Sequence, residues 1–284
     1  MYFRFCTKSA LIVFISLFTF SSEAQDYFQQ EVDYQIQVKL DDQKHMLSGF
    51  EKIEYTNNSP DNLEFIYFHL WPNAYRNNQT TLAKEQFRKE GKHHLFKNKA
   101  QRGLIDSLNF KINGQKASWE YHPEHIDICK VYLNEPLKSG ETVTITTPFH
   151  VKIPLGVTSR LGHIGQSYKI TQWYPKPAVY DSRGWHPMPY RDMGEFYSEF
   201  GSFEVSITLP ENYVVAATGQ LQTQSELQWL NQLALESESK FSFDRGDMDF
   251  PVSAGKNKTI RYTIDNAHDF AWFADKRYHV MKDS

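Results

Sequence analysis

The chain has 284 residues, with 31 lysines and arginines against 34 aspartates and glutamates, and aromatic residues make up 15% of it. Basic and acidic residues are interleaved along the whole length, which excludes the clustered basic surface that a nucleic-acid-binding protein needs. The aromatic content supplies enough apolar area for a sizeable core and therefore excludes a disordered secreted tail.

The first 24 residues have the pattern of a secretory signal peptide. Arg4 and Lys8 precede an apolar run at 11–20, and Ser22 and Ala24 place small residues next to a cleavage site before Gln25. The run is about half the roughly twenty residues that a membrane-spanning helix needs, so no stable membrane span is expected after cleavage. The sequence therefore predicts a protein exported to the periplasm or the extracellular space.

Most of the remaining chain has the patterns of β-strands. From residue 32 to residue 40 apolar and polar side chains alternate, which is typical of a half-buried strand. Asn113-Gly114 between two such runs predicts a tight hairpin turn, because both turn positions must tolerate positive φ. Further strand patterns lie at 63–71, 105–112, 126–133, 142–153, 168–173, 203–209, 213–218, 241–243 and 260–264.

Helical patterns are few and short. Residues 226–235 place leucines on one helical face, residues 82–88 do so weakly, and residues 269–275 resemble the first turns of a helix. Many short strands with frequent turns predict a mostly β fold, an antiparallel β-sandwich or saddle with a few short helices.

A search for catalytic motifs finds none. None of the eleven histidines begins a His-Glu-x-x-His zinc motif, and a Gly-x-Ser-x-Gly elbow, a phosphate-binding glycine loop and a Cys-x-x-Cys pair are also absent from the sequence. We therefore predict no catalytic residues and no metal site in this chain. The nearest ligand cluster is His122 and His125 with Cys129, which the spacing alone would permit, although a loop and a core strand are the ordinary places for such residues.

The segment 171–201 is the most unusual part of the sequence, with four prolines between Pro175 and Pro189 among many aromatic residues. Proline fixes φ and removes a hydrogen-bond donor, so this segment is predicted to be a rigid, irregular loop. It also carries recognisable motifs, which are Thr-Gln-Trp-Tyr-Pro-Lys-Pro at 171–177, Gly-Trp-His-Pro at 184–187, Glu-Phe-Tyr-Ser-Glu-Phe-Gly at 195–201 and Phe-Glu-Val at 203–205.

These motifs resemble the N-terminal domain of peptidase family M1, the gluzincin zinc aminopeptidases, and especially its exported bacterial branch. Other motifs follow the same order as in that domain. They are Gly-Phe-Glu at 49–51, Leu-Trp-Pro-Asn-Ala-Tyr at 70–75, Ala-Thr-Gly at 217–219 and Asp-Phe-Ala-Trp-Phe at 269–273. After the signal peptide at 1–24, the resemblance implies a β-saddle domain at 25–265 and, at 266–284, the start of a connection to a catalytic domain that this chain lacks.

The resemblance also implies a function. In the family this domain lies over a thermolysin-like domain that carries the zinc, so zinc is expected only in a longer protein, and the chain is expected to be inactive alone. Its expected partners are that catalytic domain and a peptide substrate. Gln172 is similar to a glutamine that binds the substrate's N-terminal residue, and we expect Trp173 and Tyr174 beside it to contribute. The family often has an acid where this chain has Tyr174.

Two alternatives remain open from the sequence. A free-standing exported module could use the aromatic loop 173–190 to hold a peptide, a glycan or a protein, because aromatic side chains provide large contact areas at low entropic cost. A metal enzyme built on His122, His125 and Cys129 is the second alternative.

Overall fold

A computed structural model describes residues 27–90, 96, 98–156, 159–238 and 249–282. It contains two α-helices, α1 at Thr81–Glu90 and α2 at Gln224–Glu238. The strands are β1 Glu31–Asp41, β2 Met46–Thr56, β3 Leu63–His69, β4 Leu104–Asp106, β5 Lys111–Ile112, β6 Gln115–Lys116, β7 Trp119–Tyr121, β8 Ile128–Leu137, β9 Thr142–Lys152, β10 Gly162–Ile164, β11 Ser167–Ile170, β12 Lys176–Pro177, β13 Tyr180–Asp181, β14 Gly184–Trp185, β15 Gly201–Pro210, β16 Val214–Ala217, β17 Gln220–Leu221, β18 Asn257–Ala267 and β19 Trp272–Asp275.

A nine-stranded sheet forms the largest layer, with the strand order β17-β18-β15-β1-β2-β9-β5-β6 and β4 paired to β9. Strand β1 pairs with β2 antiparallel and with β15 parallel. The alternation in β1 buries Val32, Tyr34, Ile36, Val38 and Leu40 on one face. Side chains alternate between the two faces of a strand. The pairing register therefore places buried residues of β2 and β15 beside these residues on the same face of the sheet.

Smaller sheets contribute to the same core. Two four-stranded sheets have the orders β12-β3-β8-β7 and β10-β11-β19-β16, and β13 and β14 form a two-stranded ribbon. Buried residues from both four-stranded sheets, among them Phe68, Val131, Tyr168 and Trp272, belong to the same hydrophobic cluster as the large sheet. Trp173 and Tyr174, in the loop that precedes β12, belong to the same cluster, so the chain directly after Gln172 is part of the core.

The predicted fold class is confirmed, since the protein is mostly β, built of antiparallel pairings apart from β1 with β15, with a few short helices. The hairpin turn at Asn113 and Gly114 is also confirmed, with φ values of 50° and 82° between β5 and β6. The helical predictions at 82–88 and 226–235 correspond to α1 and α2. The helix predicted at 269–275 is wrong, because β19 lies there and pairs with β11 and β16. Pairing between distant strands overrides so short a local pattern.

Two predictions fall outside the described residues, namely the signal peptide at 1–24 and the strand at 241–243. Within the part of the chain that the structure describes, no helix combines the length and the apolarity needed to cross a bilayer.

Glu51 on β2 is a buried acid in the core, with 0% of its surface exposed. Neither carboxyl oxygen has a hydrogen-bond partner among the described residues, and burial raises the pKa of Glu51 well above the usual 4.5. A buried polar group without partners costs about 1–3 kcal/mol of stability. We therefore expect Glu51→Leu to raise the free energy of unfolding by about 1–3 kcal/mol at pH 7, measured by urea denaturation.

The pH dependence provides the check on this prediction. A folded-state pKa above the unfolded value means that stability is fully present below about pH 4.5 and is lost as the pH rises. The gain from Glu51→Leu should therefore grow between pH 4 and pH 8. Glu54→Leu on the outer face of the same strand, where Lys52 pairs with Glu54 at 2.7 Å, is the control and should change stability by less than about 1 kcal/mol. A gain that is independent of pH would contradict the assignment to Glu51.

Candidate functional site

Gln172 lies in an irregular segment directly after β11, with a φ of 54°. A non-glycine residue in the left-handed region is uncommon, and such strain often occurs at functional sites. The side chain of Gln172 is buried, with 6% exposed. Its Nε2 atom donates to Oδ2 of Asp269, while its Oε1 atom has no hydrogen-bond partner among the described residues. The amide oxygen is therefore an unused acceptor.

Asp269 is the centre of the hydrogen bonds around Gln172. Its Oδ1 atom accepts from the Tyr174 hydroxyl at 2.9 Å, from Lys176 Nζ at 2.7 Å and from the Phe270 backbone N–H at 2.9 Å. Burial alone would raise the pKa of Asp269, but Lys176 and the other donors overcome this effect and lower the pKa below its usual value. Since an ionised carboxylate only accepts hydrogen bonds, the Gln172 amide must turn its NH₂ group towards it.

Lys176 on β12 supplies the positive charge of this cluster, although only 2% of the residue is exposed. Burial lowers its pKa from the usual 10.5, while Asp269 acts in the opposite direction. The Nζ atom also lies 5.4 Å from the ring centroid of Trp71 and 5.2 Å from that of Tyr174, which places the cation over two aromatic faces. Lys176 and Asp269 therefore form an ion pair of opposite charges that is largely buried.

Trp173 and Tyr174, the other residues predicted for substrate binding, are in the core, with 0% and 2% exposed. Trp173 Nε1 donates to the Phe270 carbonyl at 3.0 Å, and the Tyr174 ring contacts Tyr34 edge-on with centroids 5.5 Å apart. These contacts fix the segment that directly follows Gln172. The role of Trp173 and Tyr174 in substrate binding stays a prediction. The structure shows both side chains packed in the core next to Gln172.

The aromatic loop 173–190 packs largely against the sheet that contains β3. Trp185 is half-buried, with ring centroids 6.0 Å from Phe65 and 6.1 Å from Tyr67. Tyr190 is fully buried and donates its backbone N–H to Asp127 at 2.7 Å. The alternative hypothesis expects the aromatic side chains of this loop to bind a ligand. Trp173 is inaccessible to a ligand, whereas part of the Trp185 surface is exposed to solvent.

The structure does not bring all three candidate metal ligands, His122, His125 and Cys129, together. His122 and His125 stack on the loop between β7 and β8 with ring centroids 5.1 Å apart. Cys129 is fully buried in the hydrophobic core, and burial raises the pKa of its thiol. Across residues 27–90, 96, 98–156, 159–238 and 249–282, no group of three or more His, Cys, Asp or Glu side chains is placed to hold a metal ion.

Sequence reasoning missed Lys176 and Asp269 as members of the site. Asp269 lies 97 positions after Gln172. The sequence places it only in the motif at 269–273 and in the helix wrongly predicted at 269–275. One signal was available for Lys176, because a lysine between two prolines in an apolar segment has few ways to reach solvent. A buried counter-ion was therefore a reasonable expectation.

The chain matches no protein-family model and gives no significant match to a curated protein. Among solved structures, it is similar to an M1 zinc metallopeptidase from Deinococcus radiodurans, with 16% identity, 88% of this chain and 42% of that chain covered, and a TM-score of 0.45. A mutant M1 zinc metallopeptidase from that organism, bound to a Tyr-Ser-Ala substrate, gives 15% identity, coverages of 87% and 42%, and a TM-score of 0.45. The chain spans less than half the length of these proteins.

Proposed function

We propose that this chain is the non-catalytic N-terminal domain of an exported M1-family zinc peptidase and that Gln172 helps to bind the free amino terminus of a peptide. The sequence motifs from 49–51 to 269–273, which follow the family's order along the chain, support the family. The zinc and the water-activating groups would belong to a separate catalytic domain. The residues described in this chain offer no set of metal ligands, so their proposed role includes no metal-dependent step.

One observation carries the proposal, namely the unpartnered and buried Oε1 atom of Gln172. A buried acceptor without a donor costs about 1–3 kcal/mol, and an arriving ammonium group would remove that cost. The neighbouring Asp269 carboxylate, ionised because its pKa is lowered, accepts from the NH₂ group of Gln172 and so leaves Oε1 as the free end of the amide. The strained backbone at Gln172 holds the amide in place before the ligand arrives.

Alaninamide and its N-acetylated form provide the test, because they differ in the ammonium group. We expect alaninamide to bind with a Kd of roughly millimolar order and to shift the side-chain amide signals of Gln172 in NMR titrations. N-acetyl-alaninamide should not shift them. Gln172→Met should remove the response, whereas Gln37→Met on the exposed face of β1 should leave it unchanged.

Two results would contradict the proposal. Equal binding of the acetylated and free forms would show that Oε1 does not recognise an ammonium group. Stoichiometric zinc binding by the purified chain, together with cleavage of aminoacyl reporter substrates, would show that the chain is itself a peptidase.

A further inference from the structure

A second candidate site lies between the N-terminal segment and the loop around β13. A cavity of about 440 Å³ is lined by residues from three segments of the chain, among them Phe28, Val179, Asp181, Tyr197 and Glu199. This volume is within the range of roughly 300–1,000 Å³ that is typical of small-molecule sites. None of these residues belongs to the Gln172 cluster.

Glu199 is a buried acid in the wall of this cavity, with 4% of its surface exposed. Its Oε1 atom accepts from the Tyr180 backbone N–H at 3.2 Å, but no lysine, arginine or histidine of the described chain forms an ion pair with it. Burial raises the pKa of Glu199 to about 7, with a smaller contribution from the charge of Asp181, although the backbone N–H groups of Tyr180 and Gln30 act in the opposite direction. A carboxylate needs a counter-ion to remain charged in such a place.

Three other acids with little or no exposure, Asp269, Glu226 and Glu51, differ from Glu199. Asp269 is paired with Lys176, and Glu226 is paired with Lys258 at 2.6 Å. Glu51 has no counter-ion either, but it lies in the hydrophobic core and does not line this cavity. Glu199 thus combines a missing counter-ion with adjacent free space.

Asp181, the other acid of the cavity wall, already has hydrogen-bond and ion-pair partners. His186 Nε2 lies 2.8 Å from one of its oxygens, and Arg183 lies 3.5 Å from the other. Although partial burial opposes it, the hydrogen bond from His186 and that from the Arg183 backbone N–H lower the pKa of Asp181 to about 2. The unsatisfied negative charge of the cavity is therefore that of Glu199.

We propose that this cavity binds an organic cation with a primary ammonium group on a short alkyl chain, which Glu199 pairs as its counter-ion. The ammonium group would donate to the carboxylate, and the alkyl chain would lie against Val179 and the rings of Phe28 and Tyr197. Aromatic faces near a cation add to such binding. Because the carboxylate must be ionised to pair with the ligand, binding releases a proton wherever Glu199 is protonated beforehand.

Neither Asp181 nor the tyrosines near Glu199 change charge between pH 6 and pH 8. Asp181 stays ionised, and the neighbouring tyrosines stay neutral because their pKa values are raised. Arg183 and His186 contact Asp181 and not Glu199. The groups that face Glu199 or its direct neighbours are Tyr34, Tyr55, Tyr180, Asp181, Arg183, His186 and Tyr197.

Isothermal titration of the full chain with n-butylammonium chloride tests the proposal, with 1-butanol as the neutral comparison. We expect binding of n-butylammonium to strengthen about tenfold from pH 6 to pH 8, because the ionised fraction of a group with a pKa of about 7 rises by that factor. At pH 6.5, titrations in phosphate and in ACES, two buffers without a primary ammonium group, should differ in heat by the release of most of one proton. Binding of 1-butanol should be at least about tenfold weaker.

Glu199→Gln keeps an acceptor for the Tyr180 N–H and should remove both the binding and the proton release. Glu195→Gln, in the exposed part of the same loop, is the matched control and should bind as the original chain does. If Glu199→Gln does not fold, the proposal is still tested on the unsubstituted chain, by the pH dependence of n-butylammonium binding and by the number of protons released. No binding of n-butylammonium, binding without proton release at pH 6.5, or equal binding of 1-butanol would overturn the proposal.

Discussion

Lys176→Met is expected to lower the free energy of unfolding by about 3–5 kcal/mol at pH 7, because it leaves the buried Asp269 carboxylate without its cation. The methionine keeps most of the apolar stem that packs near Trp71 and Tyr174. The remaining donors to Asp269 are neutral, namely the Tyr174 hydroxyl, the Phe270 N–H and the Gln172 amide. Urea denaturation monitored by tryptophan fluorescence measures the change.

The pH profile and a double substitution identify the cause. The pKa of Asp269 is lowered in the folded state, so its contribution to stability is present above the unfolded pKa and is lost as the pH falls through the folded value. In the original protein this loss lies below about pH 3.8. In Lys176→Met the lysine no longer offsets burial, so the pKa of Asp269 is higher than in the original protein. Its carboxylate therefore binds a proton as the pH falls, which should make the deficit of Lys176→Met shrink towards pH 4. Adding Asp269→Asn to Lys176→Met should recover much of the loss.

An exposed ion pair serves as the control for this experiment. Lys52→Met removes the partner of Glu54 on the outer face of β2, where the two side chains are 40% and 35% exposed. Such pairs contribute less than about 1 kcal/mol because water screens them. If Lys176→Met costs no more than Lys52→Met, the buried pair does not stabilise the loop that contains Gln172.

The parts of the fold that the sequence predicts are those decided by local patterns. The alternation at 32–40 predicts the buried face of β1. Asn113-Gly114 predicts the turn between β5 and β6, because few residues tolerate φ values of 50° and 82°. The helix at 226–235 is predicted by its leucine spacing. In each case, the relevant interactions are between residues that are close in sequence.

The site depends on contacts that no local pattern contains. The strand predicted at 168–173 ends at Ile170, because Gln172 adopts a φ of 54°. Its partner Asp269 is held beside it by the pairing of β11 with β19, which is a long-range contact. Glu199 is another example, because Tyr-Ser-Glu-Phe has the composition of an exposed loop although Glu199 is buried. Burial of single charged residues is decided by tertiary packing.

His69 should make the protein sensitive to acid. It is fully buried and stacks on Trp71 with ring centroids 4.4 Å apart, and its Nε2 atom accepts from the Met188 N–H at 3.1 Å. Its Nδ1 atom has no hydrogen-bond partner among the described residues. Burial, with a contribution from the charge of Lys176, lowers the pKa of His69 to about 3. The folded protein therefore keeps this imidazole neutral where the unfolded chain would bind a proton.

The sign of the effect follows from this difference. Below the usual pKa of 6.5 the unfolded state gains a proton that the folded state does not, so stability falls by about 1.4 kcal/mol for each pH unit. By pH 4 the loss from His69 should be roughly 3 kcal/mol. His69→Gln keeps an acceptor for the Met188 N–H but cannot titrate, so urea midpoints at pH 7, 6, 5 and 4 should decline less steeply in this variant.

His150→Gln is the control, because this side chain is 46% exposed, and the variant should follow the unsubstituted protein at every pH. The charge of Lys176 also links the behaviour of His69 to that of the buried ion pair. Since the charge of Lys176 disfavours a proton on His69, Lys176→Met should raise the pKa of His69 and weaken the acid sensitivity. Parallel pH profiles for the original protein and His69→Gln would show that another group causes the acid response.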